Sequence, residues 1–226
     1  MFERLKVVAT AQSLLGVNET DNSHISRVLD VYNQKPLPRG YAMKPRDSWC
    51  AAFVSVVGII AGFEKIIYKE CSCQKMMEKY QKTGAFIERD DHTPLPGDII
   101  FYDWQDSGAG DCIGVPDHVG IVEAVEGNVI KVIEGNYQNA VKRRLIECNG
   151  RYIRGYGVPK YQTSDNYKTV TAYTLNVREA PGTAAKVIGH IYKDDVVFYD
   201  DVRSVQGVNW YHIPTKRGWA SGKYLR

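Results

Sequence analysis

Cys50 is the side chain of this sequence that is best placed to act as a nucleophile. It stands near the start of an apolar segment, residues 49–63, which is too short to span a membrane and predicts a buried helix. Asp47 or Ser48 is the expected N-cap. A helix N-terminus favours the thiolate, and the backbone N–H of Cys50 can hold a developing oxyanion. The alternative is a cysteine that only packs, as most free cysteines do.

A base for such a thiol is predicted on a hairpin. If Gly127 is the centre of a three-residue turn, residues at equal distances before and after Gly127 face each other across the two strands. His118 then faces Asn136, and Gly120 faces Glu134. The polar side chains then share one face, and Glu134 can bond one imidazole nitrogen while the other faces a thiol. A two-residue turn would move Glu134 to the opposite face, so the prediction depends on register.

These residues supply the roles that thiol-dependent acyl transfer needs: a nucleophile, a base and groups that orient the base. The candidate catalytic residues are Cys50, His118, Glu134 and Asn136. Sequence alone leaves each of them open to a purely structural role.

The elements that must position these groups fall into two parts. Residues 1–161 read as helices followed by a sheet, and residues 167–226 read as short β-strands of a small barrel. The polar stretch 162–166 is the expected linker.

The chain carries a net charge of +3, and residues 167–226 alone carry +4. This basic tail is suited to contact with a polyanionic surface, although a charge of +4 is far from the dense basic patch of a nucleic-acid binder. The alternative is that it is ordinary surface charge.

The five cysteines are odd in number and irregularly spaced, which argues against a disulfide framework. Cys71 and Cys73 lack a second ligand pair at zinc spacing, so no metal site is expected. Three roles are open for Cys112: it is a bystander, it forms a regulatory disulfide with Cys50, or it is a packing residue.

Four blocks of the first part, in this order, resemble the signatures of CHAP domains, the cysteine, histidine-dependent amidohydrolases/peptidases of bacterial and phage cell-wall lysis. The blocks are RDSWCAAFVS at 46–55, PGDIIFYDW at 96–104, DHVGIVEAV at 117–125 and IEGN at 133–136. The second part resembles bacterial SH3 (SH3b) domains through LNVREAPGT at 175–183, NWYHI at 209–213 and GWASGKYL at 218–225.

The resemblance implies an α+β protein: a papain-like (NlpC/P60-like) catalytic domain with an antiparallel sheet at 1–161, then an all-β SH3b barrel. It implies Cys50 as nucleophile, His118 as general base and acid, and Glu134, with Asn136, as orienting groups. No cofactor is required. The candidate substrate-binding residues are Trp49 in the first part and three aromatic residues of the tail that could line a groove for a wall peptide: Tyr173, Trp210 and Trp219.

The expected function is therefore a peptidoglycan hydrolase of the endolysin or autolysin type, acting as an N-acetylmuramoyl-L-alanine amidase or an endopeptidase. The alternatives are a non-catalytic wall-binding protein and a cysteine acyltransferase on wall peptides. The expected partners are bacterial peptidoglycan and anionic wall polymers, without nucleic acid or stable membrane insertion, and we expect a monomer. No signal peptide is visible, which fits either release through a partner pore of the phage holin type or a trimmed secreted protein.

Overall fold

The computed structural model describes residues 2–89, 92–106, 113–161 and 167–226. These residues form two compact units, one spanning Glu3–Tyr161 and the other containing residues 167–226. Each unit has its own buried apolar core. The predicted linker at 162–166 and Cys112 lie outside the described residues.

The described residues of the first part of the chain include four α-helices. They are α1 (Phe2–Ser13), α2 (Asn22–Tyr32), α3 (Cys50–Ala61) and α4 (Cys73–Lys82). The apolar segment predicted to be a buried helix is α3, in which ten of twelve residues are buried. Its C-cap residue is Gly62, whose φ of 79° is the left-handed conformation that glycine adopts without steric cost.

The start of α3 differs from the prediction. Trp49, not Asp47 or Ser48, is the N-cap residue, and its side chain makes no capping hydrogen bond. Asp47 instead accepts hydrogen bonds from the Lys44 N–H and the Tyr41 hydroxyl, which closes the turn before the helix. Because the Trp49 side chain makes no capping hydrogen bond, the N–H groups of the first turn are available to Cys50, whose thiol is hydrogen-bonded by the Ala51 N–H.

The first unit carries a six-stranded antiparallel sheet. Its strands are β1 (Phe86–Ile87), β2 (Ile99–Tyr102), β3 (His118–Glu126), β4 (Val129–Tyr137), β5 (Ala140–Glu147) and β6 (Ile153–Gly157). They are ordered β1-β6-β2-β3-β4-β5, so the predicted hairpin β3–β4 lies between β2 and β5. The apolar helix α3 packs against β3 and β4.

The predicted pairing of Gly120 with Glu134 is correct, but the turn that produces it is not the predicted one. Glu126 pairs with Val129, so the turn has two residues, and Gly127 takes a φ of 60° there. Glu123 is then an extra, bulged residue between Val122 and Ala124, and beyond it the pairing shifts by one. Gly120 therefore lies opposite Glu134, as the three-residue turn would have placed it.

Gly135 lets β4 approach α3 closely. A Cβ at this position would lie 2.3 Å from Cβ of Phe53 and 3.0 Å from the ring of Trp49, so only glycine fits without a shift of the backbone. Phe53 and Trp49 are both almost completely buried. The catalytic candidates on the helix and on the hairpin are brought together by this contact.

The second unit is built from seven strands. They are β7 (Tyr167–Thr169), β8 (Thr174–Arg178), β9 (Val187–Tyr192), β10 (Val196–Phe198), β11 (Asp201–Val205), β12 (Val208–Ile213) and β13 (Gly218–Ser221). Five of them form the sheet β11-β12-β13-β8-β9, and β7 pairs with β10. Their small core includes Val170, Val177 and Ile213, which agrees with the predicted all-β tail.

Within the described part of the chain, every helix is too short or too polar to cross a bilayer.

Candidate active site

Cys50 is the first residue of α3 and is 4% exposed. Its thiol faces three groups that favour the charged form: the thiol of Cys73, the imidazole of His118 and the backbone N–H of Ala51. The Sγ atoms of Cys50 and Cys73 are 3.5 Å apart. The helix start therefore presents a thiol that is surrounded by hydrogen-bond partners.

His118 and Glu134 form the pair that the register argument predicted. Nε2 of His118 lies 3.0 Å from Oε2 of Glu134, and Glu134 is completely buried. Nε2 is thereby occupied, so the nitrogen left to face Cys50 is Nδ1. The ring of Tyr102 on the neighbouring strand β2 stacks on the imidazole, with centroids 5.9 Å apart.

The open backbone of Gly120 makes room for this contact. Gly120 lies directly opposite Glu134, and a Cβ there would be 2.8 Å from Cγ of Glu134. The side chain of Glu134 therefore occupies the space above Gly120 on its way to His118, which stands two residues further along the same face.

Arg144 on β5 holds the other side of the carboxylate. Its Nε lies 2.8 Å and 2.9 Å from the two oxygens of Glu134. Its guanidinium also stacks on the rings of Tyr137, at 3.9 Å, and Trp104, at 4.8 Å. Glu134 is thus fixed between one cation and the imidazole. Although burial acts to raise its pKa, the hydrogen bonds from His118 and Arg144 hold the pKa of Glu134 below its usual value.

The contacts of Cys50 and His118 favour an ion pair. The hydrogen bond from Cys73 is the largest cause that lowers the pKa of Cys50; burial opposes it, the His118 contacts add to it, and the result is about 5. Burial acts to lower the pKa of His118, but hydrogen bonds to Cys50 and Glu134 outweigh it and raise the pKa to about 9. At neutral pH the pair is therefore a thiolate facing an imidazolium.

Asn136 has a different position from the one expected. The ladder between β3 and β4 begins at the pair Gly120–Glu134, so His118 and Asn136 are not paired across it. Asn136 instead lies in an irregularity between Glu134 and Tyr137, with a left-handed φ of 60°. A role for Asn136 in orienting the imidazole stays a prediction.

Trp49 is a core residue, and its assignment to substrate binding stays a prediction. It is 1% exposed, and its indole N–H donates to Oε2 of Glu19 at 3.2 Å. Among the aromatics of the tail, Tyr173 is 84% exposed, whereas Trp210 and Trp219 are largely buried, although each contributes to the lining of a surface depression.

Sequence reasoning missed Arg144 and Cys73. Arg144 pairs with Val132 and therefore lies diagonal to Glu134 on the same face of the sheet. A prediction of β5 would have been needed to find this contact by the cross-strand argument applied to His118. Cys73 was considered only as a zinc ligand, and no pattern in the sequence brings it to Cys50. Among the described residues there is no group of three or more His, Cys, Asp or Glu side chains that could hold a metal ion.

Comparisons with known proteins agree with this arrangement. A family model for the CHAP domain matches residues 40–136, a span that contains Cys50, His118 and Glu134. A model for the bacterial SH3 domain matches residues 174–226. No curated protein sequence matches the chain.

Two solved structures are similar to the chain at low identity. The crystal structure of Ly7917 has 18% identity and a TM-score of 0.35, and the match covers 98% of this chain and 91% of that one. The crystal structure of Ly7917 with the hydrolyzing product of MDP has 17% identity and a TM-score of 0.36, covering 96% and 92%.

The thiol, the imidazole and the buried carboxylate thus lie inside a span that matches the amidohydrolase/peptidase class. The chain contains a CHAP domain followed by a bacterial SH3 domain.

Proposed function

We propose that the protein is a peptidoglycan hydrolase that cleaves an amide bond of the murein stem peptide or cross-bridge by attack of the Cys50 thiolate. The observation that carries the proposal is the contact of a helix N-terminal thiol with an imidazole whose other nitrogen bonds a buried carboxylate. That is the set of groups that thiol-dependent acyl transfer requires.

In the first half of the reaction, the sulfur of Cys50 adds to the carbonyl carbon of the amide. Backbone N–H groups at the start of α3 stabilise the negative charge that develops on the carbonyl oxygen, and the side chain of the N-cap residue Trp49 makes no hydrogen bond to that turn. The imidazolium of His118 then gives its proton to the leaving amine, so the C–N bond breaks and a thioester remains.

In the second half, neutral His118 accepts a proton from water as the water oxygen adds to the thioester carbon. The C–S bond breaks, the acid product leaves and the thiolate–imidazolium pair is restored. Glu134 holds the ring orientation throughout, because its carboxylate stays bonded to Nε2 and is itself held by Arg144.

The SH3 domain is proposed to attach the enzyme to the wall. A depression of about 490 Å³ on this domain is lined by Trp210 and Tyr224 together with Arg178 and Lys223. Aromatic rings and cations at one depression suit a wall peptide that lies among anionic polymers. The net charge of +4 in residues 167–226 acts in the same direction.

The test is to incubate purified sacculi of several Gram-positive wall types with the wild type and with Cys50→Ala and His118→Ala. Mass spectrometry of the soluble products should show new fragments with the wild type alone, and their new amino termini would identify the bond. Circular dichroism of both variants checks that they are folded. Full activity of folded Cys50→Ala would refute the mechanism.

The same experiment separates the other candidate activities. Wall binding by the wild type without release of fragments would make the protein a binding module for those walls. Products whose mass includes an added amine in place of water would make it an acyltransferase.

A further inference from the structure

The thiol of Cys73 contacts the proposed nucleophile, with 3.5 Å between the Sγ atoms of Cys50 and Cys73. Cys73 is 8% exposed and is the first residue of α4, as Cys50 is the first residue of α3. The N-termini of two helices therefore converge on one pair of sulfur atoms. A disulfide bond, of about 2 Å, requires only a small approach from this separation.

The segment that leads into α4 is fixed against α3. The hydroxyl oxygen of Ser55, on α3, accepts a hydrogen bond from the Glu70 N–H at 2.8 Å and lies 2.7 Å from the Glu70 carbonyl oxygen. The buried carboxylate of Glu70 accepts from the Cys71 N–H at 2.9 Å and from Arg39 at 2.7 Å. The segment directly before Cys73 is therefore held against α3 by hydrogen bonds of Ser55 and of the buried Glu70.

The proposed hydrolysis does not use Cys73 as a reactant, because Cys50, His118 and Glu134 already fill the roles of nucleophile, base and orienting group. A thiolate such as that of Cys50 is the form that peroxides oxidise, and a neighbouring thiol can capture the product before further oxidation.

We infer that Cys73 is a resolving thiol for Cys50, so that oxidation by a hydroperoxide converts the two residues to a disulfide that switches the site off reversibly. The inference rests on the proposed function only for the statement that loss of the Cys50 thiolate stops hydrolysis. The disulfide itself depends on the two thiols alone.

The chemistry has two steps. The Cys50 thiolate attacks one oxygen of the hydroperoxide; the O–O bond breaks, the alkoxide leaves and takes up a proton, and Cys50 becomes a sulfenic acid. The sulfur of Cys73 then attacks the sulfur of Cys50; the S–O bond breaks, and hydroxide leaves as water with the Cys73 proton. Two electrons have passed from the thiols to the peroxide, and a dithiol reductant returns them.

The experiment treats the full chain with hydrogen peroxide, blocks remaining thiols by alkylation and maps the peptides by mass spectrometry. We expect a cross-linked Cys50–Cys73 peptide pair that dithiothreitol separates, and a loss of wall hydrolysis that dithiothreitol restores nearly completely. In Cys73→Ser, Cys50 should advance to sulfinic and sulfonic acids, and dithiothreitol should restore almost none of the activity.

Cys71→Ser is the matched control, because it removes a thiol from the same segment and should leave both the cross-link and the recovery unchanged. The inference is overturned if peroxide oxidises Cys50 of the wild type without a Cys50–Cys73 cross-link, if Cys50 is found linked to Cys112 instead, or if Cys73→Ser recovers as well as the wild type. The peptide map of the wild type decides the point even if a variant fails to fold. A cross-link in a protein that digests no wall before oxidation would support the thiol pair and count against the proposed function.

Discussion

Nε2 of His118 lies 3.0 Å from Oε2 of the buried Glu134, and this contact leaves Nδ1 as the nitrogen that faces Cys50. The direction of the ring therefore follows from a carboxylate on the neighbouring strand. Gly120 makes the contact sterically possible, because a side chain there would occupy the space that Glu134 fills.

Activity should show a bell-shaped pH dependence whose limbs belong to the Cys50–His118 pair. The pKa of Cys50 is lowered to about 5, so activity should rise with pH through this value as the thiolate forms. The pKa of His118 is raised to about 9, so activity should fall above this value as the imidazolium loses the proton that the leaving amine needs. Loss of activity in acid would then be caused by protonation of the Cys50 thiolate.

The rate at which iodoacetamide alkylates Cys50, followed against pH, measures the pKa of the thiol, and thus the lower limb of the profile, without any substrate.

Glu134→Gln should move the upper limb of the pH–activity profile to lower pH, because the imidazolium of His118 loses a neighbouring negative charge. A single inflection near the ordinary thiol value of about 8.5 would show that the ion pair does not form.

Arg144→Gln should lower both stability and activity. The substitution leaves the buried carboxylate of Glu134 with His118 as its remaining charged partner, and removing one member of a buried ion pair costs about 3 kcal/mol. We also expect activity to fall roughly tenfold, since a less firmly held carboxylate orients the imidazole less well. Chemical denaturation and muropeptide cleavage measure the two effects.

Arg143→Gln is the matched control, because Arg143 is the adjacent arginine of β5 and pairs with Glu123 at the bulge. It should leave the rate of cleavage unchanged. An equal loss of activity in both variants would show that Arg144 has no specific role in positioning Glu134.

Gly135→Ala should destabilise the first unit and displace Glu134. The added Cβ would lie 2.3 Å from Cβ of Phe53, so β4 and α3 must move apart, at a cost of about 1–3 kcal/mol. Gly189→Ala on β9 is the control, because no atom lies within 4 Å of the Cβ it would add. Thermal unfolding and activity of the two variants check the prediction, and wild-type values for Gly135→Ala would contradict it.

Removal of residues 162–226 should weaken attachment to walls more than it slows cleavage of a small soluble muropeptide. The reason is that the proposed catalytic groups all lie in the first unit, whereas the depression lined by Trp210 and Tyr224 lies in the second. Co-sedimentation with sacculi and cleavage of the soluble substrate measure the two quantities, after circular dichroism has shown that residues 1–161 fold. Equal losses on both substrates would contradict a targeting role.

Local patterns were sufficient to predict the elements that carry the site. An apolar run predicts α3 and places Cys50 at its start, and alternation predicts β3 and β4, which carry His118 and Glu134. The formation of these helices and strands depends on residues that are adjacent in the sequence, so the sequence alone is enough to predict them. The strands β5 and β6 alternate less clearly and were not predicted.

Tertiary structure decided the register and the surroundings of the pair. The turn has two residues, and the bulge at Glu123 returns Glu134 to the face of His118, an outcome that turn length alone would have reversed. Arg144 reaches Glu134 across a third strand, and Cys73 reaches Cys50 because Ser55 holds the segment before α4 against α3. The sequence by itself determined which residues can do the chemistry. The contacts that set their charges join segments far apart in the chain, and packing and bulges, which no local pattern specifies, bring those segments together.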